Sequence, residues 1–383
     1  MTICNQSIKI KNTRGIIYSK EIPDVRDGLT PLQRDILAKV QNMTRHGTHR
    51  RTASVIEQFG VVPFNDAAKI YNFILIMTLK AKALPLLHGN GNFGTPRFAY
   101  TDFAAPEYNE IKLSDYAKVI FDAEQHCLEE REVVFPTLIP NVLVSGTDGT
   151  LCNIPPHNLG EVIDAVIAMI QTPDMPEDRI FEYIQGPDYT TGGIILNKSE
   201  LPEIYRTGVG NIQVRAKVTM EHDAEDNRDH LIISEIPFTL LSKCRGTEHS
   251  IYTEKTFKKV VLDEYPAWSM DFLKMENISP DGETVRWDIS LKKRANAERA
   301  CEDLCRFSHF EGNYEYRAIL ESDGKPRLMS LHGILSKWIA FYRETLTGQN
   351  RGVPPTYDEM TSSLQKIKER FATPRRTAII DAM

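Results

Sequence analysis

The chain changes its hydrophobic period partway along, and that change restricts its architecture more than any other feature. From Leu32 to about residue 82, apolar residues recur every three or four positions, as on the faces of helices. From about residue 190, short β-branched runs alternate with polar residues, as in half-buried strands. The pattern predicts an α+β fold. Thr30-Pro31-Leu32-Gln33 carries the signature of a helix start, with Thr as N-cap, Pro at the first helical position and Gln three residues after the cap. Leu32, Ile36, Val40 and Met43 then share one face of a helix ending near Thr44.

Residues 49–59 read as a second short helix with Val55, Ile56 and Phe59 together and a basic, hydroxyl-rich first turn. Joined to the first by a turn containing Gly47, it resembles a helix-turn-helix. A third, largely buried helix is predicted over residues 66–82. Residues 135–140 and 142–144 look like strand pieces, Asn158 caps a helix running to about Ile170, and strands are predicted at 193–196, 212–218, 231–233 and 285–290. Helices near 254–264 and 294–306 interleave with them. The last apolar helix runs from Leu331 to about Leu346, after which the chain turns polar.

A length of 383 residues suits two to three domains. The 41% hydrophobic and 26% charged residues argue against global disorder and against a fibrous chain. The longest apolar stretch, residues 73–79, is far too short to span a bilayer, and no basic lead into an apolar run opens the chain. A cytoplasmic protein is expected. Cysteines 4, 127, 152, 244, 301 and 305 are too scattered for a disulfide framework, and Cys301-x-x-x-Cys305 lacks a second pair at zinc spacing. The net charge of −6 hides an asymmetry: residues 1–60 carry ten Lys/Arg against five Asp/Glu. A basic segment on an acidic body suits either a phosphate footprint or a solvated helix face.

Chemistry is faint in any single motif. His88-Gly-Asn-Gly-Asn92-Phe-Gly94 lacks the Lys-Ser/Thr of a phosphate loop and reads as a tight turn shaped by Asn90 and Asn92. Arg34 is expected in a structural ion pair with a neighbouring carboxylate, and His157 in a capping turn rather than as a base.

Several patches taken in order say more. Ile22-Pro-Asp-Val-Arg-Asp-Gly-Leu-Thr-Pro-Leu-Gln-Arg34 resembles the opening motif of the DNA cleavage-reunion (A) subunit of bacterial type IIA topoisomerases, gyrase and topoisomerase IV. The likeness continues through His49-Arg-Arg-Thr-Ala53, Gly89-Asn-Gly-Asn-Phe-Gly94, Ala104-Ala-Pro-Glu-Tyr-Asn-Glu-Ile-Lys-Leu113 and Pro140-Asn-Val-Leu-Val144. It extends over Asn153-Ile-Pro-Pro-His-Asn-Leu-Gly160, Gly186-Pro-Asp-Tyr-Thr-Thr-Gly-Gly193, Tyr205-Arg-Thr-Gly-Val-Gly210 and Ser234-Glu-Ile-Pro-Phe238.

The resemblance implies an N-terminal arm at 1–29 and a helix-turn-helix/winged-helix DNA-gate domain with the active tyrosine at 30–175. A mixed α/β tower domain would follow at 176–330, then a helical remnant of the coiled-coil region at 331–383, without room for an exit gate or a C-terminal wrapping domain. It implies that Tyr108 is the nucleophile and that Arg45, His49, Arg50, Arg51, Asn92, Arg97 and Lys112 contact DNA. It implies a homodimer on double-stranded DNA, with Mg²⁺ and ATP brought by a separate B-type subunit and no metal ligands in this chain. The sequence also departs from the family. Glu107 replaces an arginine before the tyrosine, Val62-Pro-Phe-Asn-Asp66 lacks two family histidines, and the loop between Gly149 and Asn153 is about four residues short. Three functions therefore follow: a minimal cleavage-reunion subunit, an inactive paralogue that binds DNA or modulates a topoisomerase, or a structural scaffold that merely dimerises.

Overall fold

Thr30 caps the first helix as its surroundings predict. Its hydroxyl accepts from Gln33 N while the Gln33 carboxamide oxygen accepts from Thr30 N at 2.8 Å, closing a capping box on α1 (Pro31–Met43). Ile36, Leu37 and Val40 are buried on its inner face, with Leu32 and Met43 packed at the margin. The computed structural model describes residues 22–45, 47–60, 64–79, 84–95, 102–123, 128, 134–149, 151–237, 240, 271–279, 285–308, 310–349 and 352–381. Arg97 and the helix expected near 254–264 lie outside them.

After α1 come β1 (Arg50–Arg51), α2 (Thr52–Glu57), α3 (Phe64–Thr78), β2 (Leu87–Asn90), β3 (Glu110–Leu113), α4 (Asp115–Ile120) and α5 (Asn141–Val144). Next are β4 (Thr147–Asp148), β5 (Asn153–Ile154), α6 (Leu159–Gln171), α7 (Ile180–Tyr183), β6 (Ile194–Ile195), α8 (Leu201–Thr207), β7 (Val209–Arg215), β8 (Lys217–Asp223) and β9 (Arg228–Glu235). The chain continues with β10 (Phe272–Asn277), β11 (Trp287–Leu291), α9 (Ala297–Phe307), β12 (Glu311–Arg317), β13 (Ile319–Ser322), β14 (Lys325–Leu328), α10 (Leu331–Gln349), α11 (Tyr357–Phe371) and β15 (Ala378–Ile379). Helices and mostly antiparallel sheets make this an α+β structure, as expected. The strand orders are β1-β3-β2, β10-β11-β9-β8, β15-β6-β7-β12-β5-β4 and the hairpin β13-β14.

Three local expectations are corrected. The predicted helix over 49–59 divides: Arg50 and Arg51 pair with Ile111 and Glu110, and the helix begins only at Thr52. The predicted strand pieces at 135–144 give no strand. Residues 142–144 belong instead to the single turn α5, where the Asn141 carboxamide donates to Asp27 O at 3.0 Å. There Gly28 (φ +70°) presses against the helix, and a Cβ would lie 2.5 Å from Val142 N. The predicted strand 212–218 breaks at Ala216, whose N–H donates to Phe310 O at 2.7 Å, and its two halves join different sheets.

The polar stretch after residue 346 also folds. Thr356 and Glu359 form a second capping box, and α11 buries Met360, Leu364 and Ile367 against α6. Lys368 pairs with Asp164 at 2.6 Å, and β15 adds a parallel strand to β6. Arg375 closes the contact with two bonds of 2.6 Å to Glu161 and further bonds to the carbonyls of Gly186 and Pro187. Among the described residues, no helix is long and apolar enough to cross a membrane.

Candidate functional site

The sheet β1-β3-β2 builds the site because its strands alternate cleanly. Leu87, Ile111 and Leu113 point into the core, leaving the other face of β2 and β3 outward. Register places His88 across from Lys112, Asn90 across from Glu110, and Arg51 across from Glu110 on the other side. His49 lies on the same face as Arg51, and its Nε2 is 2.9 Å from Nδ1 of His88. One face thus collects His49, Arg51, Lys112, His88, Glu110 and Asn90. The Asn90 carboxamide donates to Glu110 at 3.1 Å. Burial, reinforced by Lys112 and His88, holds the His49 imidazolium below its ordinary pKa.

Tyr108 sits in the turn leading into β3 with its side chain 78% exposed. Its backbone is fixed although its phenol is not. Tyr108 N donates to Ala105 O at 3.0 Å, while the first amides of α2, Thr52 N and Ala53 N, donate to Asn109 O and Pro106 O. Those bonds satisfy helix donors that lack an intrahelical partner. The next residue, Asn109, is fully buried and staples two loops. Its Oδ1 accepts from Asn92 N at 2.9 Å, and its Nδ2 donates to Asn92 O and to the Tyr71 hydroxyl, which in turn donates to Ala104 O.

This staple explains the Gly/Asn loop. Gly91 (φ +120°) lies so close that a Cβ would overlap the Asn109 side-chain oxygen. Asn92 bonds Gly94 N and Asp102 O, so it shapes the loop.

The other expected residues disperse. Arg45 ends the turn after α1 and donates to Asn42 at 2.7 Å. Arg50 lies opposite Ile111, and its Nε donates to Met43 O at 3.0 Å, so it alternates away from the face holding Arg51. Arg34 forms the expected pair with buried Asp27 at 2.6 Å. His157 immediately precedes the Asn158 cap and is buried, its Nε2 2.8 Å from the Tyr205 hydroxyl. Cys301 and Cys305 are free thiols that share a hydrogen bond.

Two contributors escaped the sequence. His88 opens the Gly/Asn stretch without a role assigned to it, and only strand register brings it to His49. Asn109 had a signal in its place directly after Tyr108. Among the described residues, one group has metal-ligand closeness: Asp223, Asp226 and His230, on the hairpin between β8 and β9 in a different sheet. Chemically, an accessible phenol in the turn that leads into β3 and a sheet face of cationic and imidazole groups are an arrangement suited to an anionic ester.

Comparison with known proteins identifies the family. The family model for the A subunit of DNA gyrase/topoisomerase IV matches residues 20–379. The chain is 30% identical over 362 residues to a DNA gyrase A subunit of Chlamydia muridarum, covering 89% of this chain and 42% of that protein. It is 32% identical over 359 residues to a DNA gyrase A subunit of Granulibacter bethesdensis, covering 88% and 36%. A DNA topoisomerase 4 A subunit of Streptococcus pyogenes is 29% identical over 358 residues, covering 88% and 41%. The chain therefore spans about two fifths of the length of such relatives.

Proposed function

The chain belongs to the family of DNA gyrase/topoisomerase IV A subunits, and from that premise we propose that it binds duplex DNA and cleaves and rejoins it through Tyr108. The observation that carries this is the exposed Tyr108 phenol, on a rigidly held backbone, at the head of a sheet face presenting His49, Arg51 and Lys112. In this reading α1 and α2 are the helix-turn-helix, β1-β3-β2 is the wing, residues 176–330 are the tower, and a DNA backbone runs across the outward face. Arg45 and Arg50 meet phosphates at its edge, and Asn92 holds the loop that braces Tyr108. Arg97, which follows that loop in the sequence, is a further proposed DNA contact.

The Tyr108 oxygen attacks phosphorus and forms a phosphotyrosine. Its proton goes to solvent, and the deoxyribose oxygen leaves as a hydroxyl. One phosphate ester replaces another, so the same hydroxyl can return and reseal the strand without external energy. Arg51 and Lys112 offset the charge that builds on the phosphate oxygens. Divalent metal ions take oxygen ligands, and on this face the Glu110 carboxylate is bonded to Asn90 between Arg51 and Lys112. That donor set does not fit a Mg²⁺ site, so the ion and the ATPase are assigned to a separate B-type subunit. The working unit is a cytoplasmic homodimer of this chain with that partner.

The test mixes the chain with supercoiled plasmid, Mg²⁺ and a B-type subunit, then quenches with detergent. Protein-linked breaks that vanish in Tyr108→Phe are expected. DNA binding without adducts across several B-type partners would overturn cleavage and leave a DNA-binding paralogue.

A further inference from the structure

His49 and His88 come from opposite sides of β3 and meet across the strand beside Lys112, with ring centroids 5.1 Å apart and planes tilted by 52°. A contact of 2.9 Å between two imidazole nitrogens requires one N–H between them, so one ring donates and the other accepts. In the neutral pair, only one of the two outer ring nitrogens then carries a proton, and the other presents a lone pair. One added proton changes this: the shared N–H stays, both outer nitrogens become donors, and the pair carries a positive charge. A second proton would put an N–H on both facing nitrogens and break the contact.

The pair therefore has one stable charged form, and that form matches a phosphate. The charged groups around it act in known directions. From β3, Lys112 opposes the proton on His49 and Glu110 favours it, and from β1, Arg50 and Arg51 add positive charge nearby. Burial comes first in holding the proton off His49 and Lys112 adds to it, and an anion laid over the face offsets the Lys112 part.

We propose that His49 and His88 form a proton-linked phosphate contact, which takes up one proton when a nucleic-acid backbone occupies the β1-β3-β2 face. This rests on the DNA-binding reading above and adds a regulation to it. Because the bound state holds the proton more tightly, binding strengthens as pH falls, and it levels off once the free pair is already charged. A full proton corresponds to about tenfold in affinity per pH unit.

The experiment measures anisotropy of a labelled duplex with the whole chain, at fixed ionic strength, from pH 8 to pH 5.5. Roughly three- to tenfold tightening across the range is expected for the wild type, with a steeper salt dependence at the acid end. His88→Asn and the His49→Asn/His88→Asn pair should flatten the pH profile. His222→Asn, on the β8–β9 hairpin and paired there with Asp229, should keep it. Circular dichroism confirms folding, because both imidazoles lie on the outward face of the small sheet. A pH profile unchanged in the double variant overturns the proton linkage alone. Absence of salt-dependent binding at every pH overturns the DNA reading and the linkage with it.

Discussion

Glu107 is the residue on which the chemistry turns. It is exposed and immediately precedes Tyr108, so in the proposed cleavage it sets a carboxylate close to the attacked phosphate. Removing one donor from a developing oxyanion costs roughly 10²–10³ in rate, and a carboxylate adds repulsion. Glu107→Arg should therefore raise the rate of adduct formation by about 10², measured by detergent quench against time. An unchanged rate would show that Arg51 and Lys112 already supply the charge. The neighbouring Asn109 acts differently: it touches no solvent, and its bonds to Asn92 and Tyr71 hold the turn from which Tyr108 projects.

Among the elements, the closing segment does more than its polar composition suggests. Arg375 is mostly buried against Glu161, and Asp188 accepts from the backbone N–H groups of Arg376 and Thr377. β15 then bonds through Ala378 N to Gly193 O and Ile380 N to Ile195 O. Arg375→Ala leaves the half-buried Glu161 carboxylate without its guanidinium partner and should destabilise the protein by about 2 kcal/mol, read as a lower urea midpoint. Hydrogen exchange at the Ala378 and Ile380 amides should accelerate first. Uniform acceleration across both sheets would mean that β15 is no separate unit. α11 was legible in principle: Thr356-x-x-Glu359 followed by Met360, Leu364 and Ile367 is a capping box before a helical stripe.

At the scale of the molecule, acid sensitivity follows from one buried base. Burial pushes His157 down to about 4, whereas the unfolded side chain titrates near 6.5. Above the unfolded value both states are neutral and His157 adds no pH dependence. As pH falls below it, the unfolded chain takes up a proton that the folded chain refuses, and stability is lost until the folded value is reached. The His157 contribution between pH 7 and pH 5 is about 2 kcal/mol of lost stability. Denaturant midpoints at the two pH values should show it, and His157→Gln should flatten that part of the profile. An equal slope in the variant would rule out His157 as the source of the loss.

The sequence by itself determined the element types where a local signal is self-sufficient. The capping box at Thr30 and the apolar stripe of α1 are examples, as is the Asn158 cap on α6, because each depends on neighbours within one helical turn. It also determined the family, because motif order survives without knowledge of contacts. Tertiary structure alone decided where that signal competes with distant partners. Arg50 and Arg51 leave a helical pattern because β3 offers them a ladder, and residues 142–144 leave a strand pattern because Asp27 and Gly28 hold Asn141 and Val142. His88 reaches His49 only because β3 lies between their strands. Periodicity records which side of an element faces the core; it carries nothing about which other element will be there.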